Sequence, residues 1–214
     1  MEKLATDGPN HWDEAYRTRG DDVSWFEAEP SLSLDLIELL DIDPSTPVID
    51  VGGGRSFLVD RLVDRGFADV SVLDISREAL SQTRRRLGDR GVHLLHHDVL
   101  SWVPERRFGL WHDRALFHFI VDAEGRRRYL STLTSAMVTD GGVVLATFAE
   151  DGPESCSGLP VARYSTGALI DVLGPAFTIV SARRELHTTP SGATQPFTWL
   201  AVRFTPRGNR ETDR

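Results

Sequence analysis

The sequence is short of several things. One cysteine, Cys156, stands among 214 residues, so no intrachain disulfide can form and no thiolate set is available for zinc. Such usage suits a reducing compartment, and the cytoplasm is the expected location. No apolar run approaches the roughly 18 residues of a membrane-spanning helix. The first residues are polar, unlike a secretory signal. Net positive charge is missing too: 24 Lys and Arg face 32 Asp and Glu, a formal charge of −8. No nucleic-acid or membrane partner is therefore expected. Arg84-Arg85-Arg86 and Arg126-Arg127-Arg128 are local exceptions. Adjacent helical residues point about 100° apart, so each run should fan over a solvated face.

What is present reads as a single α/β domain over residues 1–214, as a monomer or homodimer. Val48–Val51, Val70–Asp74, Val92–Leu95, Phe108–Asp113, Val143–Phe148, Phe177–Glu185 and Phe197–Arg203 are apolar strand candidates. Helix faces fall between them: Leu58, Val59, Leu62 and Val63, stopped by Gly66; then Ala79, Leu80, Thr83 and Leu87. Tyr129, Leu130, Leu133, Ala136 and Met137 mark another, opened by Asp122 and closed by Gly141-Gly142. Ser165 should cap a helix that ends at Gly174. The expected architecture is a doubly wound, mostly parallel sheet. Residues 1–40 are expected to form a helical lid, and 205–214 a loose tail.

The most informative stretch is Val48-Ile49-Asp50-Val51-Gly52-Gly53-Gly54-Arg55-Ser56, followed by a strand ending in Asp74. Asp74 lies 22 residues past Gly52, near the ~20 that sets a carboxylate on a ribose. A pyrophosphate turn would need a third glycine where Arg55 or Ser56 stands, and Asp50 would repel the phosphates. An acid at this turn suits a cationic ligand carrying an amino-acid group. The order Asp50-x-Gly52-x-Gly54-x-Ser56 resembles motif I of the class I S-adenosylmethionine (SAM)-dependent methyltransferases, (D/E)xGxGxG. It departs from that motif at the last glycine, where Ser56 suits a first helical turn.

Further motifs follow in the order of that family, across roughly residues 10–205. The resemblance implies seven strands, the last antiparallel. It implies that Asp50, Gly52, Gly53 and Gly54 cradle the cofactor and that Asp74 binds the ribose hydroxyls. Ile75 would pack on the adenine, Ser76 would cap the next helix, and Asp98 with the backbone of Val99 would meet the adenine edge. Phe108-Gly109-Leu110-Trp111-His112-Asp113-Arg114 resembles motif IV, whose end faces the transferred methyl. The segments His11-Trp12-Asp13-Glu14-Ala15-Tyr16 and Val23-Ser24-Trp25-Phe26 resemble the WDxxY…SW(Y/F) N-terminal segment of one subgroup. That subgroup includes bacterial enzymes and eukaryotic lysine methyltransferases acting on citrate synthase and an elongation factor. The resemblance implies that Trp12 and Tyr16 lie over the cofactor and that Trp25 and Phe26 border the substrate. Aromatic faces suit a sulfonium or an amine; a helix merely stapled to the core by Trp12 and Tyr16 is the plainer alternative.

Ligands of open α/β sheets bind beyond the carboxyl ends of the parallel strands. That edge nominates Arg114, Phe148, Arg163 and His187 for the substrate, with the Gly/Pro/Ser-rich segment 152–161 as a covering loop. His118 is the candidate general base, the alternative being a buried structural histidine. Asp113 is nominated to orient the cofactor or acceptor, the alternative being a structural ion pair. No metal motif is seen among the histidines. Two acceptors stay open: a small-molecule N, O or S nucleophile, and a protein lysine, for which Glu27, Glu29, Asp113 and Glu150 would line an acidic groove. Cofactor binding without turnover and an NAD-type site are the remaining readings.

Overall fold

A computed structural model describes residues 8–19 and 23–206. The first seven residues and 207–214, which hold most of the expected tail, lie outside the described residues. Thr205 is tied down: its N–H donates to the Ala176 carbonyl at 2.8 Å.

Seven strands form one sheet. β1 (Val48–Val51), β2 (Val70–Asp74), β3 (His93–His96), β4 (Phe108–Arg114), β5 (Met137–Phe148), β8 (Phe177–Thr188) and β9 (Thr194–Phe204) lie in the order β3-β2-β1-β4-β5-β9-β8. β9 runs antiparallel to both neighbours, and the remaining pairings are parallel. The seven-stranded mixed α/β sheet expected of class I methyltransferases is therefore present. Its strand pattern is the physical cause of the layers. Along β5, Val144 and Ala146 face one core and Val143 and Leu145 the other, because successive strand residues point to opposite faces. On the first face lie α2 (Ser31–Leu39), α3 (Leu58–Asp64) and α4 (Arg77–Leu87), through Leu34, Leu36, Ile37, Leu58, Leu62 and Leu80. On the second lie α5 (Ala123–Ala136) and α6 (Thr166–Leu173), through Tyr129, Leu133, Leu169 and Leu173. No helix among the described residues is long and apolar enough to cross a membrane.

The capping residues act as read from sequence. Ser76, Asp122 and Ser165 accept from the N–H groups of Ala79, Gly125 and Ala168. Three boundaries differ from expectation. α5 ends at Ala136 and β5 begins at once with Met137, so Gly141-Gly142 lies inside a strand, beside a register shift between Phe108 and Leu110. A Cβ on Gly142 would sit 2.9 Å from the Leu40 side chain, so the glycine permits close packing against the end of α2 rather than stopping a helix. Of the expected lid, only α1 (Pro9–Arg19) lies over the sheet edge; α2 is built into the core. The 152–161 loop carries a small hairpin, β6 (Ser155–Cys156) and β7 (Leu159–Pro160), turned by Ser157 (φ 51°) and Gly158 (φ 78°). Positive φ at both turn residues is the geometry tight hairpins require.

Candidate active site

The glycine turn after β1 is closed by Gly52 N–H donating to the Leu73 carbonyl at 2.7 Å. Gly52 (φ 68°) and Gly54 (φ 48°) lie in the left-handed region that glycine enters freely. A Cβ at Gly52 would strike Leu116, and one at Gly54 the Tyr16 hydroxyl. Ser56, in place of the last motif glycine, accepts from the Leu58 N–H at 3.1 Å and so opens α3. α4 braces the turn from outside. Thr83 Oγ1 donates to the Gly54 carbonyl at 2.7 Å. Arg86 donates to the carbonyls of Arg55 and Ser56 at 2.9 and 2.7 Å while pairing with Asp60. Arg86 is thus no solvated member of its run, a role visible only once the turn is folded against α4.

Two clefts meet at this turn, sharing Tyr16, Trp25, Gly52 and Arg114. The larger encloses about 940 Å³ with its open mouth included, along the carboxyl ends of β1, β2 and β4. Its polar end holds Asp74, Ile75, Asp98 and Val99. One Asp74 oxygen accepts from the Ser76 N–H at 2.7 Å. Burial raises this acid to about 7 against the pull of the Ser76 and Gly54 amides, with Asp50 and Asp13 adding to the rise. Asp98 accepts from the Leu100 N–H at 2.9 Å. The other end is apolar, walled by Trp12, Trp25, Ala115, Leu116, Phe119 and Leu159. Trp12 meets Phe119 and Trp25 edge-on, with centroids 4.9 and 5.9 Å apart. Ala115 is held at φ 69°, a conformation costing about 1–2 kcal/mol for a residue with a Cβ.

The smaller cleft is lined by Phe26, Ser33, Asp50, Gly53, Ser56 and His112, among others. Asp50 is 2 % exposed. Its Oδ1 receives the His112 ring at 2.7 Å, while Oδ2 is buried without a hydrogen-bond partner.

α1 is fixed over the larger cleft by Asp13, whose Oδ1 accepts from the Ser76 hydroxyl at 2.6 Å and the Glu78 N–H at 3.0 Å. Burial opposes the charge on Asp13, but these two donors together with the charges of Arg17 and His96 hold its pKa below the ordinary value. Sequence reasoning passed over Asp13, although it lies between Trp12 and Tyr16 and can reach the N-terminus of α4. Tyr16 is fully enclosed beside Asp74, and burial with that charge pushes its phenol far up.

Several nominated residues stand elsewhere. Asp113 does not line either cleft. Its carboxylate accepts from the N–H groups of Leu116 and Phe117 and, at 2.5 Å, from the Tyr129 hydroxyl. Burial nonetheless raises it to about 6. One residue's alternation along β4 turns Asp113 to the α5 face, where it caps a turn, and turns His112 toward Asp50. His118 is also outside the clefts, enclosed by Phe119, Phe148 and Phe197. Its Nδ1 accepts from the Phe148 N–H at 3.4 Å, and burial together with Arg114 lowers its pKa to about 3. A ring so placed is a packing residue, not a proton acceptor for the cleft. Phe148 is buried beneath it. Arg163 is spent on the Gly152 carbonyl and Glu154 at the surface. His187 is buried and fastened to the Ser24 carbonyl at 2.8 Å.

Arg114 does border both clefts, but its guanidinium is engaged. It donates to the Trp25 carbonyl at 2.7 Å and to Glu27 at 2.8 Å. It also lies 5.1 Å from the Phe197 ring centroid. Glu27, Glu185 and His187 bring ligand atoms within 4.8 Å of one another. Arg114, 2.8 Å from Glu27 and 3.4 Å from His187, is the cation of that cluster. The acids nominated for a groove do not assemble either. Glu27 pairs with Arg114, Glu29 with Arg61, Asp113 is buried, and Glu150 is exposed.

Residues 48–141 match the family described as "Methyltransferase domain". A mouse eEF1A lysine and N-terminal methyltransferase is 31 % identical over 88 residues, 40 % of this chain. The chain covers only 12 % of that protein's length. Among solved structures, the protein described for conversion of a disulfide bond into a thioacetal group during echinomycin biosynthesis superposes with a TM-score of 0.74. It is 21 % identical, over 92 % of this chain and 93 % of its own. A SAM-dependent methyltransferase from Anabaena variabilis follows with a TM-score of 0.72 and 17 % identity, over 92 % and 93 % of the two chains. The Burkholderia thailandensis 1,6-didemethyltoxoflavin-N1-methyltransferase, solved with its substrate and S-adenosylhomocysteine, gives 0.66 and 19 %, over 92 % and 84 %. The fold is that of the class I SAM-dependent methyltransferases.

Proposed function

We propose that this chain is a SAM-dependent methyltransferase acting on a small-molecule N, O or S nucleophile in the cytoplasm. One observation carries the reading: the larger cleft runs from the carboxylates Asp74 and Asp98 to an apolar wall, and at the glycine turn it adjoins a smaller cleft lined by Asp50, which has an unpartnered carboxylate oxygen. The residues fit the cofactor. Asp74 accepts from the ribose hydroxyls, Ile75 packs on the adenine, and Asp98 with the Val99 backbone meets its edge. The buried, unpartnered Oδ2 of Asp50 suits the ammonium of the methionine moiety. The same oxygen would repel a pyrophosphate, which disfavours NAD. Trp12 and Tyr16 close over the cofactor, and Trp25 and Phe26 border the acceptor.

SAM bound there supplies an electrophilic methyl for in-line displacement, so alignment provides much of the rate. Among the described residues the apolar end offers no free base: His118 and Asp113 are enclosed elsewhere, and Arg114 is ion-paired. The acceptor therefore brings its own lone pair, as a neutral amine, a thiolate or a readily ionised hydroxyl does. Alignment and exclusion of water are what Trp12, Trp25, Phe119 and Leu159 contribute.

A protein lysine acceptor is the second reading. It is supported by the WDxxY…SW(Y/F) segment and by the mouse relative, whose name describes lysine and N-terminal methylation. The pairing of Glu27 and Glu29 with arginines weighs against it. The deciding experiment is incubation with methyl-labelled SAM and a size-fractionated cell extract. Label in the low-mass fraction is expected; label in one protein band would establish the lysine reading instead. Binding of SAM with no label in any fraction would leave a non-catalytic binder.

A further inference from the structure

β1 and β4 pair with Asp50 directly opposite His112. Both side chains point to the α2 face, where Ser33 completes a chain of three buried groups. Ser33 Oγ lies 2.9 Å from His112 Nε2, and His112 Nδ1 lies 2.7 Å from Asp50 Oδ1. The three residues are 1 %, 3 % and 2 % exposed, and all line the smaller cleft. An ionised carboxylate only accepts, so Nδ1 carries a proton; in the neutral ring Nε2 then accepts from the Ser33 hydroxyl. The chain satisfies one Asp50 oxygen completely and leaves the other with nothing. That second oxygen lies against Gly53, where a Cβ would come within 2.5 Å of it.

We propose that Ser33 and His112 are positioning residues for the cofactor. They lock the Asp50 carboxylate in one rotamer and keep Oδ2 beside Gly53, at the glycine turn where the two clefts adjoin, for the α-ammonium group of SAM. The inference rests on the cofactor reading above and deepens it. Serine, histidine and aspartate in this order also build the nucleophile of many hydrolases. Here the Ser33 hydroxyl is 1 % exposed and is spent on His112 Nε2, whereas the free oxygen of the chain is on the carboxylate. The physical purpose is electrostatic. A carboxylate held by a buried donor need not reorganise when the ammonium arrives, and preorganisation raises affinity by lowering that cost.

The test compares two ligands by calorimetry: S-adenosylhomocysteine, which carries the ammonium, and methylthioadenosine, which has only the nucleoside end. His112→Leu should weaken S-adenosylhomocysteine roughly tenfold to a hundredfold, the range for a hydrogen bond to a charged group, and leave methylthioadenosine nearly unchanged. His112→Asn keeps an N–H donor near Nδ1 and should recover most of the loss. Ser33→Ala should cost severalfold, again for the ammonium ligand alone. These two milder variants keep the idea testable if His112→Leu does not fold. Equal weakening of both ligands, or no weakening of either, would overturn the positioning role while leaving the cofactor reading standing. Failure of the unaltered protein to bind S-adenosylhomocysteine would overturn both.

Discussion

At the scale of the residue, burial decides which ionisable groups can act. Asp74 is raised to about 7 in the folded chain from an ordinary 3.8, chiefly by desolvation. Between about pH 4 and 7 the folded chain thus holds a proton that the unfolded chain has released, so this acid's contribution to stability is lost as pH rises through that window. Asp74→Asn should therefore lose less stability than the unaltered protein between pH 5 and pH 8, read as urea midpoints. An equal loss in both would show that Asp74 is not protonated in the folded state. Ribose hydroxyls bind the ionised form best, so binding of S-adenosylhomocysteine near pH 6.5 should release protons, measurable by calorimetry in buffers of different ionisation enthalpy. His118 shows the opposite sign: its pKa is lowered to about 3, so stability it supports is lost as pH falls below its unfolded value. His118→Ala opens a cavity among three phenylalanines and should cost about 2–4 kcal/mol. Turnover by the folded fraction should fall far less than the ~10²–10⁴-fold expected when a general base is removed. A loss of that size, with an altered pH–rate profile, would restore His118 as the base.

At the scale of the element, α4 is the brace of the cofactor turn. Arg86→Ala removes the donors to the Arg55 and Ser56 carbonyls and the partner of Asp60. It should cost about 2–3 kcal/mol in urea unfolding and weaken S-adenosylhomocysteine about tenfold. Arg85→Ala, one residue back on the exposed face, should stay within ~0.5 kcal/mol; matching effects would mean that the turn does not depend on the brace. This contrast marks what the sequence could reveal. Helix faces and the caps Ser76, Asp122 and Ser165 are local signals, and they were legible. The glycine turn and Asp74 were legible because their spacing is set by one βαβ unit. Which of Arg84, Arg85 and Arg86 turns inward was not, since it depends on where the glycine turn lies against α4. Asp113 was nominated and His112 passed over for a related reason: neighbouring strand residues exchange faces with a one-residue change of phase. The onset of β5 was hidden because glycines that usually end a helix also fit a strand beside a close-packed helix.

At the scale of the whole molecule, Arg114 joins parts far apart in sequence. From the end of β4 it holds the Trp25 carbonyl and Glu27, lies within 3.4 Å of His187 on β8, and stands over Phe197 and Trp199 of β9. Its side chain is only 10 % exposed and that of Glu27 17 %. Truncating one partner of such a pair leaves the other charge uncompensated. Arg114→Ala should therefore cost about 3–5 kcal/mol, with Glu27 left facing Glu185. Arg114→Lys should recover little, because an ammonium cannot reach a carbonyl and a carboxylate in one planar fork. The damage should be regional. The sheet closes without this residue, whereas the segment carrying Trp25 is fastened through it and through the contact of His187 with the Ser24 carbonyl. Hydrogen exchange should thus accelerate in peptides covering residues 23–30 and stay slow in β4, β5 and β9. Uniform acceleration would make Arg114 a residue of the global core, and no acceleration would mean that the cleft wall is held by other contacts. The regional outcome would tie the acceptor side of the cleft to one guanidinium, so that Trp25 is placed by a clamp rather than by its own packing.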